Sequence, residues 1–332
     1  MRKKRSVFIL SIALALILSS GFQCLANSGP EKSWYKGNLH THTTFSDGDT
    51  PPEGVIAWYK EHGYDFLALT DHNHITPPAD YRDFQGDEFL LISANEISDR
   101  LGKTSLHLLA LNVHDPRLAP TGGGTITEIL QNNIRAIRKA GGVPVLAHPN
   151  FTWAFQDKEM LDLEDCRLFE VWNAHPAVNN LGGGGRPGTE EIWDRVLSAG
   201  KIYYGIGTDD MHRLASYPGK SWIMVRSSEF SIREILKSLE TGDFYVSTGI
   251  ELDESRIESD RIQLRIRPAG DARYRTWFIG RNGTVLKLDE SNTPSYLFTG
   301  KEGYVRAKVV DSNGHMAFLQ PCFPESVEFR HP

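Results

Sequence analysis

The sequence predicts an α/β chain built on a parallel sheet or barrel, followed by a small all-β sandwich. Three observations carry that prediction. From Trp34 to about Thr248, short apolar runs alternate with amphipathic helical patterns, as strand–helix–strand units require. Several of those runs are continuously apolar, as expected of strands buried on both faces. After about Leu252 the pattern becomes period-two alternation broken by turn dipeptides, with no long helical repeat.

The first strand is expected over Trp34–Leu39. Thr50 with Pro51 and Pro52 opens a helix that Gly63 closes. Strands follow at Phe66–Thr70, Phe89–Ser93 and Leu106–Leu111. Thr125-Ile126-Thr127-Glu128 is a capping box, and its helix buries Ile129, Ile134 and Ile137 before Gly141 stops it. The next strands are Val143–Ala147 and Leu168–Trp172. A helix over Thr189–Ala199 ends at Gly200 and leads to a strand at Ile202–Ile206. Ser231-Ile232-Arg233-Glu234 is a second capping box, and its helix precedes a strand at Asp243–Ser247. In the sandwich, strands are expected at Arg261–Pro268, Thr276–Ile279, Val285–Leu288, Tyr304–Val310 and Met316–Phe323. Asn282-Gly283 and Asn313-Gly314 supply hairpin turns.

The 332 residues fit one large and one small domain, and 40% hydrophobic with 23% charged residues describes a globular chain. A net charge of -6 without a basic stripe argues against a broad nucleic-acid footprint. Residues 1–26 read as a signal peptide. Arg2, Lys3, Lys4 and Arg5 precede an apolar run from Val7 to Leu18, and Cys24-Leu25-Ala26 ends in a small residue suited to cleavage. That run falls short of the ~20 residues a membrane helix needs, so no transmembrane helix is expected in the mature chain. The expected location is periplasmic or extracellular. The expected domains are residues 27–252 and 253–332. Cys166 and Cys322, one in each, are read as buried free thiols, because two cysteines make no disulfide framework.

The strand ends carry the chemistry. His40 and His42, two apart on a strand, point to one face. Asp47 follows in the loop. The second strand ends in Thr70-Asp71-His72 and the third near Glu96. The fourth carries His107, the fifth ends in Ala147-His148-Pro149, and the seventh in Asp209-Asp210-Met211-His212. Barrel enzymes build their sites at the C-terminal edge of the strands. One histidine there is ordinarily a core or surface residue, the reading given to His62, His114, His175, His315 and His331. Six histidines with interspersed acids at equivalent positions point instead to a metal centre. Imidazole and carboxylate together suit Mn, Fe or Zn, and the lack of cysteine ligands disfavours a structural zinc. Of the adjacent Asp209 and Asp210, the Asp-x-His spacing selects Asp210.

The order His-x-His, Asp, Thr-Asp-His, Glu, His, Ala-His-Pro, Asp-x-His resembles the PHP (polymerase and histidinol phosphatase) superfamily, from Trp34 to about Gly249. The resemblance implies a distorted (β/α)7 barrel holding two or three divalent metals. It implies that His40, His42, Glu96 and Asp210 hold one metal, that Glu96, His107 and His148 hold a second with Glu96 bridging, and that Asp47, His72 and His212 hold a third. It favours His72 over His74, which is left as a substrate contact. Asp71 is expected to support an imidazole N–H.

The activity implied is that of a metal-dependent phosphoesterase, with metal-held water as the nucleophile and Glu96 and Asp210 as the carboxylates that bridge or position the metals. The expected substrate is a small-molecule phosphate ester. A phosphate calls for a guanidinium, and Arg186 in the Gly182–Gly185 loop comes first, with Arg213 and Arg100 behind it. Asn173 and His175 close the sixth strand beside the pocket. Two alternatives use the same sequence. One is hydrolysis of a non-phosphate ester or carbamate, favoured if no cation lines the pocket. The other is a non-catalytic metal-containing protein whose sandwich docks a surface partner, disfavoured by the full set of nine ligand positions. Proofreading and histidinol-phosphate hydrolysis do not suit an exported chain.

Overall fold

The computed structural model describes residues 32–216 and 218–324. The signal-peptide segment and His331 lie outside the described residues. The larger part of the chain runs β1 (Ser33–Asn38), α1 (Pro52–Glu61), β2 (Phe66–Leu69), β3 (Leu90–Leu101), β4 (Thr104–Leu111), α2 (Ile126–Lys139), β5 (Val143–Leu146), α3 (Asp157–Leu161), β6 (Leu168–Asn173), α4 (Thr189–Ser198), β7 (Tyr204–Thr208), β8 (Trp222–Ser227), α5 (Ile232–Thr241) and β9 (Phe244–Ser247). Then come β10 (Leu252–Ile257), β11 (Arg261–Ile266), β12 (Tyr274–Gly280), β13 (Thr284–Asp289), β14 (Ser295–Leu297), β15 (Arg306–Asp311) and β16 (Met316–Leu319).

The result is a mixed α/β structure around one large sheet of thirteen strands, ordered β13-β12-β15-β16-β9-β8-β1-β2-β3-β4-β5-β6-β7. The pairs β1–β2, β2–β3, β5–β6 and β6–β7 are parallel. An isolated parallel bridge joins Thr41, just past β1, to Met211, just past β7, with His42 N–H donating to Met211 O at 2.8 Å. The ends of the β1–β7 run therefore meet at the level of the predicted ligands. The helices form where local chemistry directs. Thr125 Oγ1 caps α2 by accepting from Glu128 N–H at 3.1 Å, and Ile129, Ile134 and Ile137 are buried. Ser231 caps α5 in the same way, and Gly242 ends it at a φ of 77°.

Three expectations are corrected. The third and fourth strands do not follow the parallel pattern. β3 runs on to Leu101 and turns into β4 as an antiparallel hairpin, and β4 pairs antiparallel with β5. Glu96 and His107 are therefore both mid-strand. Second, β8 is an additional strand that inserts antiparallel between β1 and β9. Third, the C-terminal strands are not separate from the large sheet. β16 pairs with β9, so β12, β13, β15 and β16 extend the large sheet, and only β10, β11 and β14 make a separate layer. A second core, including Ile262, Leu264, Phe278 and Val309, lies with these strands. Asn282 and Gly283 hold φ of 56° and 70° at the β12–β13 turn, as expected for that dipeptide. Cys166 and Cys322 are buried free thiols. No helix among the described residues is long and apolar enough to cross a membrane.

Candidate metal centre

Backbone hydrogen bonds between neighbouring strand ends set the frame. Thr70 N–H donates to Thr41 O, Glu96 N–H to Asp71 O, Ala147 N–H to His107 O, and Ala174 N–H to Thr208 O. The predicted ligands sit at or beside these links, so their side chains project from adjoining strands into one space. All nine come together there, in four overlapping groups: His42, Asp47, His72 and His212; His40, His42 and Glu96; His40, His148 and Asp210; His72, Glu96 and His107. This grouping differs from the expected partition, since His42 joins the Asp47 group and His72 also reaches Glu96.

Glu96 is the hub. Its Oε1 is 2.9 Å from His107 Nδ1 and 3.1 Å from His148 Nε2, and its Oε2 is 2.8 Å from His72 Nδ1. His40 Nε2 and His42 Nε2 are 3.1 Å apart, and each is 3.2 Å from Asp210 Oδ1. Asp47 Oδ2 lies 3.5 Å from His72 and 3.4 Å from His212. Two cluster residues, His148 and Asp210, hold positive φ of 22° and 49°. Such backbone persists only where the surroundings impose it, and Asp210 thereby leaves the strand alternation and turns into the cluster.

The donor set fits divalent cations. Metal–ligand bonds of about 2.0–2.2 Å place neighbouring ligand atoms roughly 3.0–3.6 Å apart, the spacing found between these nitrogens and oxygens. Glu96 Oε2, His107 Nδ1 and Asp210 Oδ1 are buried without a hydrogen bond among the described residues. Orphaned buried polar atoms are costly, and here three of them face one centre. Charge points the same way. Burial would raise the Glu96 carboxyl, but His107, His40 and His148 hold it well below the usual carboxylate range. Asp210 is held down against burial by His40 and His42. Burial would lower His72, yet Asp47 and Glu96 push it up to about 10. Anionic acids at this depth demand a cationic counterpart, either imidazolium or metal.

A further acid was not foreseen. Glu170 on β6 is fully buried and accepts from His40 Nδ1 at 2.7 Å, His148 N–H at 2.7 Å, Asn173 Nδ2 at 2.7 Å and Thr208 Oγ1 at 2.6 Å. It fixes the His40 ring so that Nε2 faces the cluster. A glutamate inside the apolar run Leu-Phe-Glu-Val-Trp was the available signal, since a buried charge needs partners.

The predicted supporting residues fare differently. Asp71 does not touch an imidazole. It accepts from Thr43 N–H, Thr43 Oγ1 and Ser46 Oγ, and Ser46 Oγ is 3.3 Å from His42 Nδ1, so its support of His42 passes through Ser46. The Arg186 guanidinium lies over the Trp153 ring at 5.2 Å. Arg213 and Arg100 are exposed, and His74 packs on Phe45 with ring centroids 5.0 Å apart. Among the described residues the ion-pair partners of Asp47, Glu96 and Asp210 are all histidines. Asn173 Nδ2 is 3.1 Å from Asp210 Oδ2, and the His175 ring centroid is 5.0 Å from that of His212, so both line the centre.

No protein-family model and no curated protein matches the chain. Solved structures do. A two-domain protein containing a predicted PHP-like metal-dependent phosphoesterase, from Bacteroides vulgatus, matches with a TM-score of 0.52 at 15% identity, covering 88% of this chain and 97% of that one. A candidate metal-dependent phosphoesterase from Bifidobacterium adolescentis gives 0.41 at 16%, covering 53% and 87%. An amidohydrolase from Chromobacterium violaceum, solved with sulfate and no metal, gives 0.40 at 17%, covering 54% and 88%. The first likeness spans 88% of this chain and 97% of that one and establishes a shared fold.

Proposed function

We propose that this chain is a PHP-type metal-dependent hydrolase that cleaves a phosphate ester. In this reading β1–β7 form a distorted barrel around the centre, residues 253–332 form an accessory β domain, and residues 1–26 direct export. The observation that carries the proposal is the convergence of nine metal-competent side chains, Glu96 and Asp210 among them, with three of their buried polar atoms left without hydrogen bonds among the described residues. Two or three divalent ions (Mn, Fe or Zn) would be held by His40, His42, Asp47, His72, Glu96, His107, His148, Asp210 and His212. When bound, they supply a strong nucleophile from water at neutral pH and neutralise charge on the ester oxygens.

The chain's own residues prepare the site. Glu170 keeps His40 Nδ1 occupied, and the Asp210 carbonyl oxygen, 3.0 Å from His212 Nδ1, does the same for His212, so each ring offers Nε2 inward. Asn173 steadies Asp210, and the buried walls lower the local dielectric.

One observation favours a second reading, cleavage of a carboxyl ester or carbamate. Among the described residues no lysine or arginine pairs with the cluster acids, while half-exposed Phe45 and the Phe151 ring, 5.1 Å from His148, provide apolar surface beside the centre. A hydrolysis screen of metal-loaded protein against phosphomonoesters, phosphodiesters, carboxyl esters and carbamates decides between them. Turnover confined to phosphate esters is expected. Turnover confined to carboxyl esters or carbamates establishes the second reading, and none in any class refutes both.

A further inference from the structure

Asp209 precedes the ligand Asp210 but points away from the cluster, and it is fully buried. Its Oδ1 accepts from the backbone N–H groups of Lys220 at 2.8 Å and Ser221 at 3.0 Å. Its Oδ2 accepts from Gly219 N–H at 2.8 Å, Tyr59 OH at 2.9 Å and Asn38 Nδ2 at 2.8 Å. Five donors around one carboxylate hold it as an anchor, and three of them are consecutive backbone amides.

Each donor leads to part of the metal centre. Asn38 Oδ1 accepts from His40 N–H at 3.0 Å, so the Asn38 amide joins Asp209 to the backbone of a cluster residue just past the end of β1. Residues 219–221 close the loop that begins with Asp210, Met211 and His212. That loop is held a second time from the segment between β1 and α1, through His42 N–H on Met211 O and Asp49 N–H on His212 O at 2.9 Å. Tyr59 belongs to α1, which follows His42 in the chain and leads into β2, just beyond which lies His72.

We infer that Asp209 is a positioning residue for metal binding, fixing His40 through Asn38 and fixing Asp210 and His212 through the loop it closes. This rests on the metal-centre reading above. It acts through neighbours and touches neither metal nor substrate. Replacing it with asparagine keeps the volume but sets an NH2 group against a ring of donors, so part of the anchor is lost.

The test is calorimetric titration of metal-free wild type, Asp209→Asn and Tyr59→Phe with Mn2+, with thermal midpoints measured with and without the ion. Asp209→Asn is expected to bind Mn2+ about 10–100-fold more weakly, and the metal-induced rise in Tm is expected to shrink with it. Tyr59→Phe, which removes one donor, is expected to weaken binding several-fold and serves if Asp209→Asn does not fold. A role confined to folding lowers Tm equally with and without metal. Wild-type affinity in a folded Asp209→Asn, or in Tyr59→Phe when the former does not fold, overturns the inference alone. Wild type that binds no Mn2+ overturns the metal-centre reading itself.

Discussion

Glu170 shows how far a single buried carboxylate can reach. Through four acceptor contacts it holds a ring nitrogen of His40 and the backbone of His148, which lie just past β1 and β5 respectively. Glu170→Gln is expected to weaken metal binding about 10–100-fold while leaving a folded protein, as supporting carboxylates of metal-bound histidines generally do. Calorimetric titration with Mn2+ checks this, and unchanged affinity refutes it. Away from the centre, Glu302 makes a separate prediction. Burial would raise its carboxyl, but the N–H of Thr299 and the Tyr296 hydroxyl hold it down to about 2. A depressed folded pKa stabilises above the unfolded value near 4.5, and that stability disappears as pH falls through 2. Wild type should therefore be more stable than Glu302→Gln in urea unfolding at pH 7, with the gap narrowing steadily below pH 4.5. A gap independent of pH contradicts the assignment. The nine residues that cluster were legible because histidines and acids recur near successive expected strand ends, a pattern an ordinary core does not need. The roles of Asp71 and Asp209 were not, because a carboxylate's partners depend on loops that come from distant parts of the chain.

At the scale of elements, caps and periodicity were readable because they are local. Thr125 and Ser231 start their helices where a hydroxyl can accept a free N–H. The β3–β4 hairpin was hidden because polar Ser93, Asn95, Ser98 and Asp99 interrupt what is one strand, so only its apolar start looked like one. The joint between α4 and β15 was equally invisible. Arg306, 1% exposed, donates to Asp194 through Nε and Nη2, each at 2.7 Å, and Tyr304 OH also donates to Asp194. Lys308 and Arg306 both pair with Glu190. Arg306→Met leaves the Asp194 carboxylate buried without its cation. It is expected to cost about 3–5 kcal/mol in chemical denaturation, with metal stoichiometry in the folded protein unchanged. A loss under 1 kcal/mol contradicts the view that this pair couples the helix to the C-terminal strands.

The whole molecule is bound together by a sheet that does not break at residue 252. β16 covers the edge of β9, and buried Gln320 donates to Gly205 O at 2.8 Å and accepts from Gly205 N–H at 2.9 Å, gripping the strand that leads to Asp210. A chain ending at 252 loses this grip, uncovers an edge strand and strands Asp194 without Arg306. It is expected to aggregate in size-exclusion chromatography, and a soluble, metal-loaded monomer contradicts that. The change of pattern near Leu252 was legible in the sequence, because period-two alternation is local. The pairing of β16 with β9 was not, since it joins segments some seventy residues apart. The central claim, that Glu96 is the hub of a multinuclear centre, is tested most directly by metal analysis of purified wild type and Glu96→Gln side by side. The account predicts two to three equivalents of Mn, Fe or Zn in wild type and at least one fewer in the folded variant. No metal in wild type, or equal loading of the two, contradicts it.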